Sequence, residues 1–208
     1  MVQKKIQEKF IGKKNHNSGD FPDLVVLAGP TAVGKGTVSR RLVEKYPQVY
    51  LSVSATTRDP RPGEIDGVHY HFLTRSQFDQ KIDENEFLEW AVVHQENKYG
   101  TLKQPIIEAN KQGRPALLEI DLQGARKVRQ VLANSNFKTR LVFLAPPTFE
   151  ELITRLGMRG TESREERERR LETARVEMRA EDEFDDVIVN DDVDVAVHQL
   201  AQIMGLEK

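Results

Sequence analysis

No cysteine occurs in the 208 residues, which excludes disulfides and thiolate metal sites and fits a reducing, cytoplasmic setting. No apolar run approaches the roughly 18 residues of a membrane-spanning helix, so no membrane partner is expected. A dominant charge sign is also missing. The formal net charge is −2 with 31% of residues charged, and no global basic field points to nucleic acid. The opening stretch, MVQKKIQEKFIGKKNHNSGD (residues 1–20), has neither the apolar segment of a secretory signal nor the arginines of a mitochondrial presequence. It reads as a solvated tail, with an arm that brushes nucleic acid as the weaker reading. Internal repeats and low-complexity segments are absent. What remains is ordinary for one globular domain with inserted lobes: 38% hydrophobic residues in a chain long enough to bury a core.

Ala28 to Arg40 reads AGPTAVGKGTVSR. A phosphate-binding loop needs glycine, four residues, glycine, lysine and then serine or threonine. Gly29, Pro30, Thr31, Ala32, Val33, Gly34 and Lys35 satisfy the pattern, but Gly36 takes the hydroxyl slot and Thr37 comes one residue late. The chemistry survives that departure. Backbone N–H groups converge on phosphates, the following helix N-terminus adds partial positive charge, and the lysine reaches the outer phosphates. What is lost is a direct hydroxyl ligand for Mg²⁺, whose place a water can take. The context is also right: LVVLA (Leu24 to Ala28) reads as a buried strand before the loop, and Val38, Leu42 and Val43 have helical spacing after it. Further buried strands are expected at Ala116 to Asp121, Thr139 to Ala145 and Asp186 to Asn190. Helical patterns cover Gln104 to Lys111, Gly124 to Ala133, Thr148 to Arg155 and Arg164 to Arg179, with capping-box spacing at Thr148 and Ser163. The alternation predicts an α/β fold: a P-loop parallel sheet covered by helices on both faces.

Between Ser52 and Leu102 the rhythm becomes β-rich, with prolines and glycines, and predicts a small inserted lobe. SATTRDPRPGE places Arg58 and Arg61 three residues apart beside stiffening prolines. Two guanidinium forks so held suit a phosphate, with Tyr70 and Tyr99 as further donors; two surface arginines on a solvated turn are the plainer alternative. Glu89, between Leu88 and Trp90, sits in an apolar setting. A carboxylate there accepts two parallel hydrogen bonds, matching guanine's N1–H and N2 amine and penalising adenine, whose N1 is an acceptor. An edge-strand glutamate facing water is the alternative. Two phosphate-gripping sites in one chain suggest phosphoryl transfer between two phosphorylated molecules. His69 and His71 alternate like a metal pair but have no third ligand candidate nearby in sequence. The charge-dense RGTESREERERR reads in part as a solvated helix with ion pairs at three- and four-residue spacing.

Residues 21 to 206 resemble the guanylate kinase family through GPTAVGKGT, SVSATTRDPRPGEIDGVHYHF, EFLEWAVVHQENKYGT, LEIDLQGA, RLGMRGTES and DVIVND, taken in order. The resemblance implies transfer of a phosphoryl group from ATP to GMP, and to dGMP, with Mg²⁺ as cofactor and no metal bound by protein side chains alone. It implies that Ser54, Glu89 and Thr101 hold the base. Arg58, Arg61, Tyr70 and Tyr99 would hold the acceptor phosphate, with Glu64 in the same pocket. Asp121 would lie near the metal and the acceptor. Arg159 and Arg170 would reach across from a lid as catalytic groups beside Lys35 and Arg58, and Arg155 and Asn190 would flank adenine. The implied division is a tail (1–20), a core (21–53, 103–154, 171–208), a GMP lobe (54–102) and a lid (155–170). Two rivals stand beside this expectation, a non-catalytic guanylate-kinase-like protein-binding module and a kinase for another monophosphate. The oligomeric state is not legible.

Overall fold

The structure, a computed structural model, describes residues 21–93, 97–157 and 164–207, without the side chains of 164–170. In chain order the strands are β1 (Leu24–Ala28), β2 (Tyr50–Leu51), β3 (Ala55–Thr56), β4 (His71–Phe72), β5 (Phe87–Val93), β6 (Asn97–Leu102), β7 (Ala116–Glu119), β8 (Thr139–Ala145) and β9 (Asp186–Val189). The α-helices are α1 (Lys35–Lys45), α2 (Arg75–Asp83), α3 (Lys103–Lys111), α4 (Leu122–Leu132), α5 (Phe149–Gly157), α6 (Arg164–Met178) and α7 (Val193–Ile203).

Five strands form a parallel sheet in the order β2-β7-β1-β8-β9, with β1 central. Every residue of β1 is buried, because both sheet faces are covered. Val25 and Leu27 join Val38 and Leu42 of α1 and Ala196 and Leu200 of α7 in one apolar cluster. Leu24 and Val26 join Ile106 of α3 and Val128 and Leu132 of α4 in another. Fully burying one such leucine or valine is worth about 1.5–3 kcal/mol, so the two clusters fix the register of β1 and hence the position of the loop that leaves its end. This is the α/β parallel sheet that the sequence pattern predicts.

The second sheet lies within residues 55–102 and runs β4-β3-β6-β5, antiparallel at β3–β6 and β5–β6. Its own small core holds Ala55, Phe78 and Phe87. The two phenylalanine rings stack with centroids 4.3 Å apart, fastening α2 to β5.

The boundaries of β1 and β8 agree with the sequence pattern, and the other predicted elements shift by one or two residues. Thr148 accepts from the Glu151 N–H at 3.1 Å, as its capping spacing predicts; Ser163 lies outside the described residues, as does the 1–20 tail. Two helices were not foreseen. α2 buries a single residue, Phe78, so it carries no apolar stripe, although the Thr74–Gln77 capping box marks its start. α7 is capped by Asp192, whose carboxylate accepts from the N–H groups of Asp194 and Val195. Among the described residues no helix is long and apolar enough to cross a membrane.

Candidate active site

The loop between β1 and α1 is shaped by backbone geometry. Gly29 has φ +150°, and a Cβ there would stand 2.3 Å from the Leu144 carbonyl oxygen. Gly34 has φ +105°, and a Cβ would meet the Asn190 amide nitrogen at 2.5 Å. Neither position tolerates a side chain without strain. Gly34 is also the N-cap of α1, with no side-chain cap and no acidic residue in the first turn, so the helix's leading N–H groups are left for an anion. The Lys35 ammonium arches back over the loop and donates to the carbonyls of Gly29 at 2.6 Å and Pro30 at 3.2 Å. Thr37 is exposed, and its N–H bonds within the turn to the Gly34 carbonyl.

Arg155 and Asn190 meet behind the loop. Asn190 donates to the Val33 carbonyl at 2.7 Å. Arg155 donates to the carbonyls of Val33 and Asn190, both at 3.2 Å, and to the Glu151 carboxylate at 2.5 Å. The Asn190 side-chain oxygen is buried with no hydrogen-bond partner among the described residues, an acceptor aimed at no protein donor. Ala32, in the left-handed conformation at φ 68°, completes the turn.

In front of the loop lies a cavity of about 400 Å³. Lys35 lines one side, with Glu119 at the end of β7 and Asp121 at the start of α4. Ser54, Arg58, Arg61, Glu64, Tyr70, Glu89 and Tyr99 line the other, all from the second sheet and its loops. Of the two arginines expected from the sequence, Arg58 is held by its guanidinium and Arg61 by its main-chain N–H. Glu64 bonds the Arg58 guanidinium at 2.9 Å and accepts from the Arg61 N–H at 2.7 Å, which holds its carboxyl below the ordinary carboxylate range. Arg58 also stands 5.5 Å from the Tyr70 ring centroid, and Tyr70 meets Tyr99 edge-on at 5.9 Å. Asp121 caps α4 by accepting from the Gly124 N–H at 2.7 Å while it faces the cavity.

Glu89 does not face water. It is 8% exposed, and the Thr101 hydroxyl donates to its carboxylate at 2.7 Å. The two residues are cross-strand partners on β5 and β6, and a bulge between Phe87 and Glu89 breaks the alternation, so that Phe87, Leu88 and Glu89 are all buried. Burial pushes the Glu89 carboxyl above the ordinary range, against the Thr101 hydrogen bond that favours its ionised form.

Two further carboxylates were not foreseen. Glu119 is pushed up by burial and pulled down by the Lys35 charge, and a Cβ added to Gly36 would lie 3.6 Å from its nearer oxygen. Glu177, on α6, accepts from the Thr31 N–H of the loop at 3.3 Å and is likewise raised by burial against the pull of Lys35. Glu119 lies inside the predicted strand Ala116 to Asp121, two residues before Asp121, a legible signal. Glu177 lies in a helix of charged residues, and nothing local singles it out. Arg159 lies outside the described residues, as does the Arg170 side chain. His69 accepts from the Ile65 N–H, and no group of three metal-capable side chains occurs among the described residues.

Comparison with known proteins agrees with this geometry. The family model described as Guanylate kinase matches residues 22–207. A curated protein named Guanylate kinase from Bifidobacterium longum is 55% identical over 184 residues, 88% of this chain and 94% of that one. Another of the same name, from Leifsonia xyli subsp. xyli, is 55% identical over 198 residues, 95% of this chain and 74% of that one. Among solved structures, a guanylate kinase from Anaplasma phagocytophilum matches with a TM-score of 0.71 at 30% identity, covering 89% of this chain and 86% of its own.

Proposed function

The chain belongs to the guanylate kinase family, and from that premise we propose how its residues divide the work of passing a phosphoryl group from ATP to GMP. The activity is ATP-dependent phosphorylation of GMP. The observation that carries the residue roles is the single cavity in which Lys35 of the phosphate loop faces Arg58, Arg61 and Glu89 of the second sheet.

The loop from Gly29 to Thr37 wraps the ATP phosphates with its main-chain N–H groups, Pro30 having none, and with the α1 N-terminus, and Lys35 leaves the loop carbonyls to neutralise the outer ones. Arg155 and Asn190 flank the adenine, the spare Asn190 oxygen accepting from the base. Arg58, Arg61, Tyr70 and Tyr99 hold the GMP phosphate, and Glu64 orients the Arg58 guanidinium and fixes the main chain at Arg61. Ser54, Glu89 and Thr101 read guanine. dGMP fits the same contacts, since none of these assignments uses the 2′-hydroxyl. Residues 54–102 act as the acceptor lobe and 155–170 as the lid, with Arg159 and Arg170 reaching the transferring group.

No general base is needed. The acceptor is a phosphate oxygen with a second pKa of about 6, mostly deprotonated at neutral pH. The work is positioning and charge neutralisation of a loose, in-line transition state. Mg²⁺ accompanies ATP and supplies further neutralisation of phosphate charge. The residues fit it: Gly36 leaves space beside the Glu119 carboxylate, and a hydrated ion takes a carboxylate and waters rather than an all-protein cage. Asp121 lines the same cavity beside Glu119 and Lys35. The reaction then belongs in the cytoplasm.

The test is ADP release from ATP with GMP, dGMP, AMP or UMP as acceptor. GMP and dGMP are used and the other two are not; equal use of AMP overturns the guanine assignment. A protein-binding module would show no turnover with any of the four.

A further inference from the structure

Reading guanine with Glu89 requires a particular charge state. An ionised carboxylate offers two acceptors, which match guanine's N1–H and N2 amine. A protonated one offers an acceptor and a donor, which match adenine's N6 amine and N1. Guanine selectivity therefore depends on holding a buried carboxyl ionised, and burial works against this.

The groups that act on Glu89 come from two elements besides its own strand. Thr101 on β6 donates to the carboxylate at 2.7 Å, and Asp121 at the α4 cap adds a like charge that favours protonation. The positive charge comes from Lys127 of α4. Its ammonium donates to the carbonyl of Trp90, the residue following Glu89 in β5, and stands 5.9 Å from the Trp90 ring centroid. Helix α4 packs along β5, so this lysine is fixed against the strand by the fold. Its charge opposes the effects of burial and of Asp121 on the carboxyl.

We infer that Lys127 is a specificity-positioning residue: anchored on the Trp90 carbonyl, it holds Glu89 in the acceptor-only form that admits GMP and refuses AMP. The inference rests on the proposed base-reading role of Glu89 and extends it to a residue outside the cavity lining. A lysine that only tied the core to the acceptor lobe would affect both nucleotides alike.

The experiment measures dissociation constants of GMP and AMP by titration calorimetry between about pH 5 and 8, for the wild type and for Lys127→Met, Lys127→Arg and Glu89→Gln. The phosphates of the two nucleotides titrate alike, so the ratio of constants isolates the base edge. In the wild type the preference for GMP weakens as pH falls, because AMP binding takes up one more proton than GMP binding. In Lys127→Met that weakening moves up by about half a pH unit, a roughly threefold loss of preference near its midpoint, as expected for removal of one partly solvated charge. Lys127→Arg restores the wild-type profile. Identical pH profiles of the ratio in wild type and Lys127→Met overturn the inference. Glu89→Gln separates the two readings: if it keeps the full preference for GMP, the base-reading role itself falls, whatever Lys127 does.

Discussion

In the phosphate loop, consecutive residues from Gly29 to Thr37 present main-chain amides and one charged side chain, Lys35. In the proposed acceptor lobe, Arg58 and Glu64 come from one loop, Tyr70 from the approach to β4, and Glu89, Tyr99 and Thr101 from β5 and β6. The first site is local and made of backbone; the second is dispersed and made of side chains. The loop's geometry therefore depends on the absence of side chains at Gly29 and Gly34, where a methyl would meet Leu144 or Asn190. The lobe's geometry depends on strand register, since the bulge beside Glu89 is what turns its carboxylate inward.

The sharpest way to break this contrast is Lys35→Ala. It removes the loop's one charged group and leaves its amides intact. Turnover is expected to fall about 10³-fold, the scale of losing a transition-state charge contact, with the KM for GMP little changed. Steady-state kinetics decide it; near-normal GDP formation refutes the role. Glu89→Gln is the matching change in the lobe. The amide keeps one acceptor and turns the other into a donor, so kcat/KM for GMP is expected to drop about 10²-fold while ATP binding holds.

Glu89→Gln also tests stability. Because burial raises the Glu89 pKa in the folded state, the folded protein binds that proton more tightly than the unfolded chain. Its contribution to stability is present below the unfolded-state pKa and lost as pH rises through the folded-state pKa. The glutamine variant escapes that loss, so its Tm should exceed the wild type's at neutral pH, and the gap should close on acidification. A gap independent of pH would break the assignment.

The same contrast explains what was legible in the sequence. The loop announced itself because its chemistry needs fixed spacing between Gly29, Gly34 and Lys35 and an apolar strand before them. β1 and β8 were readable because continuous apolar runs are what two covered sheet faces require. The lobe was not readable in that way. Arg58 and Arg61 looked equally like surface residues on a turn until Glu64 was seen to hold the Arg58 guanidinium and the Arg61 main-chain N–H, and the setting of Glu89 depends on a bulge that no local pattern encodes. Residue chemistry suggested a phosphate grip and a guanine reader there, and family resemblance chose those readings over the plainer alternatives. Glu177 was missed outright, because its partner, the Thr31 N–H, lies 146 residues away and the surrounding helix is rich in other charged residues.

Smaller effects sharpen the comparison inside the loop. Gly34→Ala should cost about 2 kcal/mol, since alanine is strained at φ +105° and its methyl collides with Asn190; thermal melting measures it. Gly36→Ser, two residues on, should cost almost nothing. An added Cβ at position 36 meets only the Glu119 oxygens, at 3.6 and 3.7 Å, which is ordinary contact, and serine favours a helix over glycine by about half a kcal/mol. The new hydroxyl would sit beside Glu119, where on the proposed placement of Mg²⁺ a water would otherwise serve. The Mg²⁺ concentration for half-maximal activity is then expected to fall only a few-fold, because a hydrated ion exchanges one oxygen for another. If Gly36→Ser instead destabilised the protein as much as Gly34→Ala, the loop's glycines would be equivalent, and the contrast between a strained main-chain position and a merely vacant one would fail.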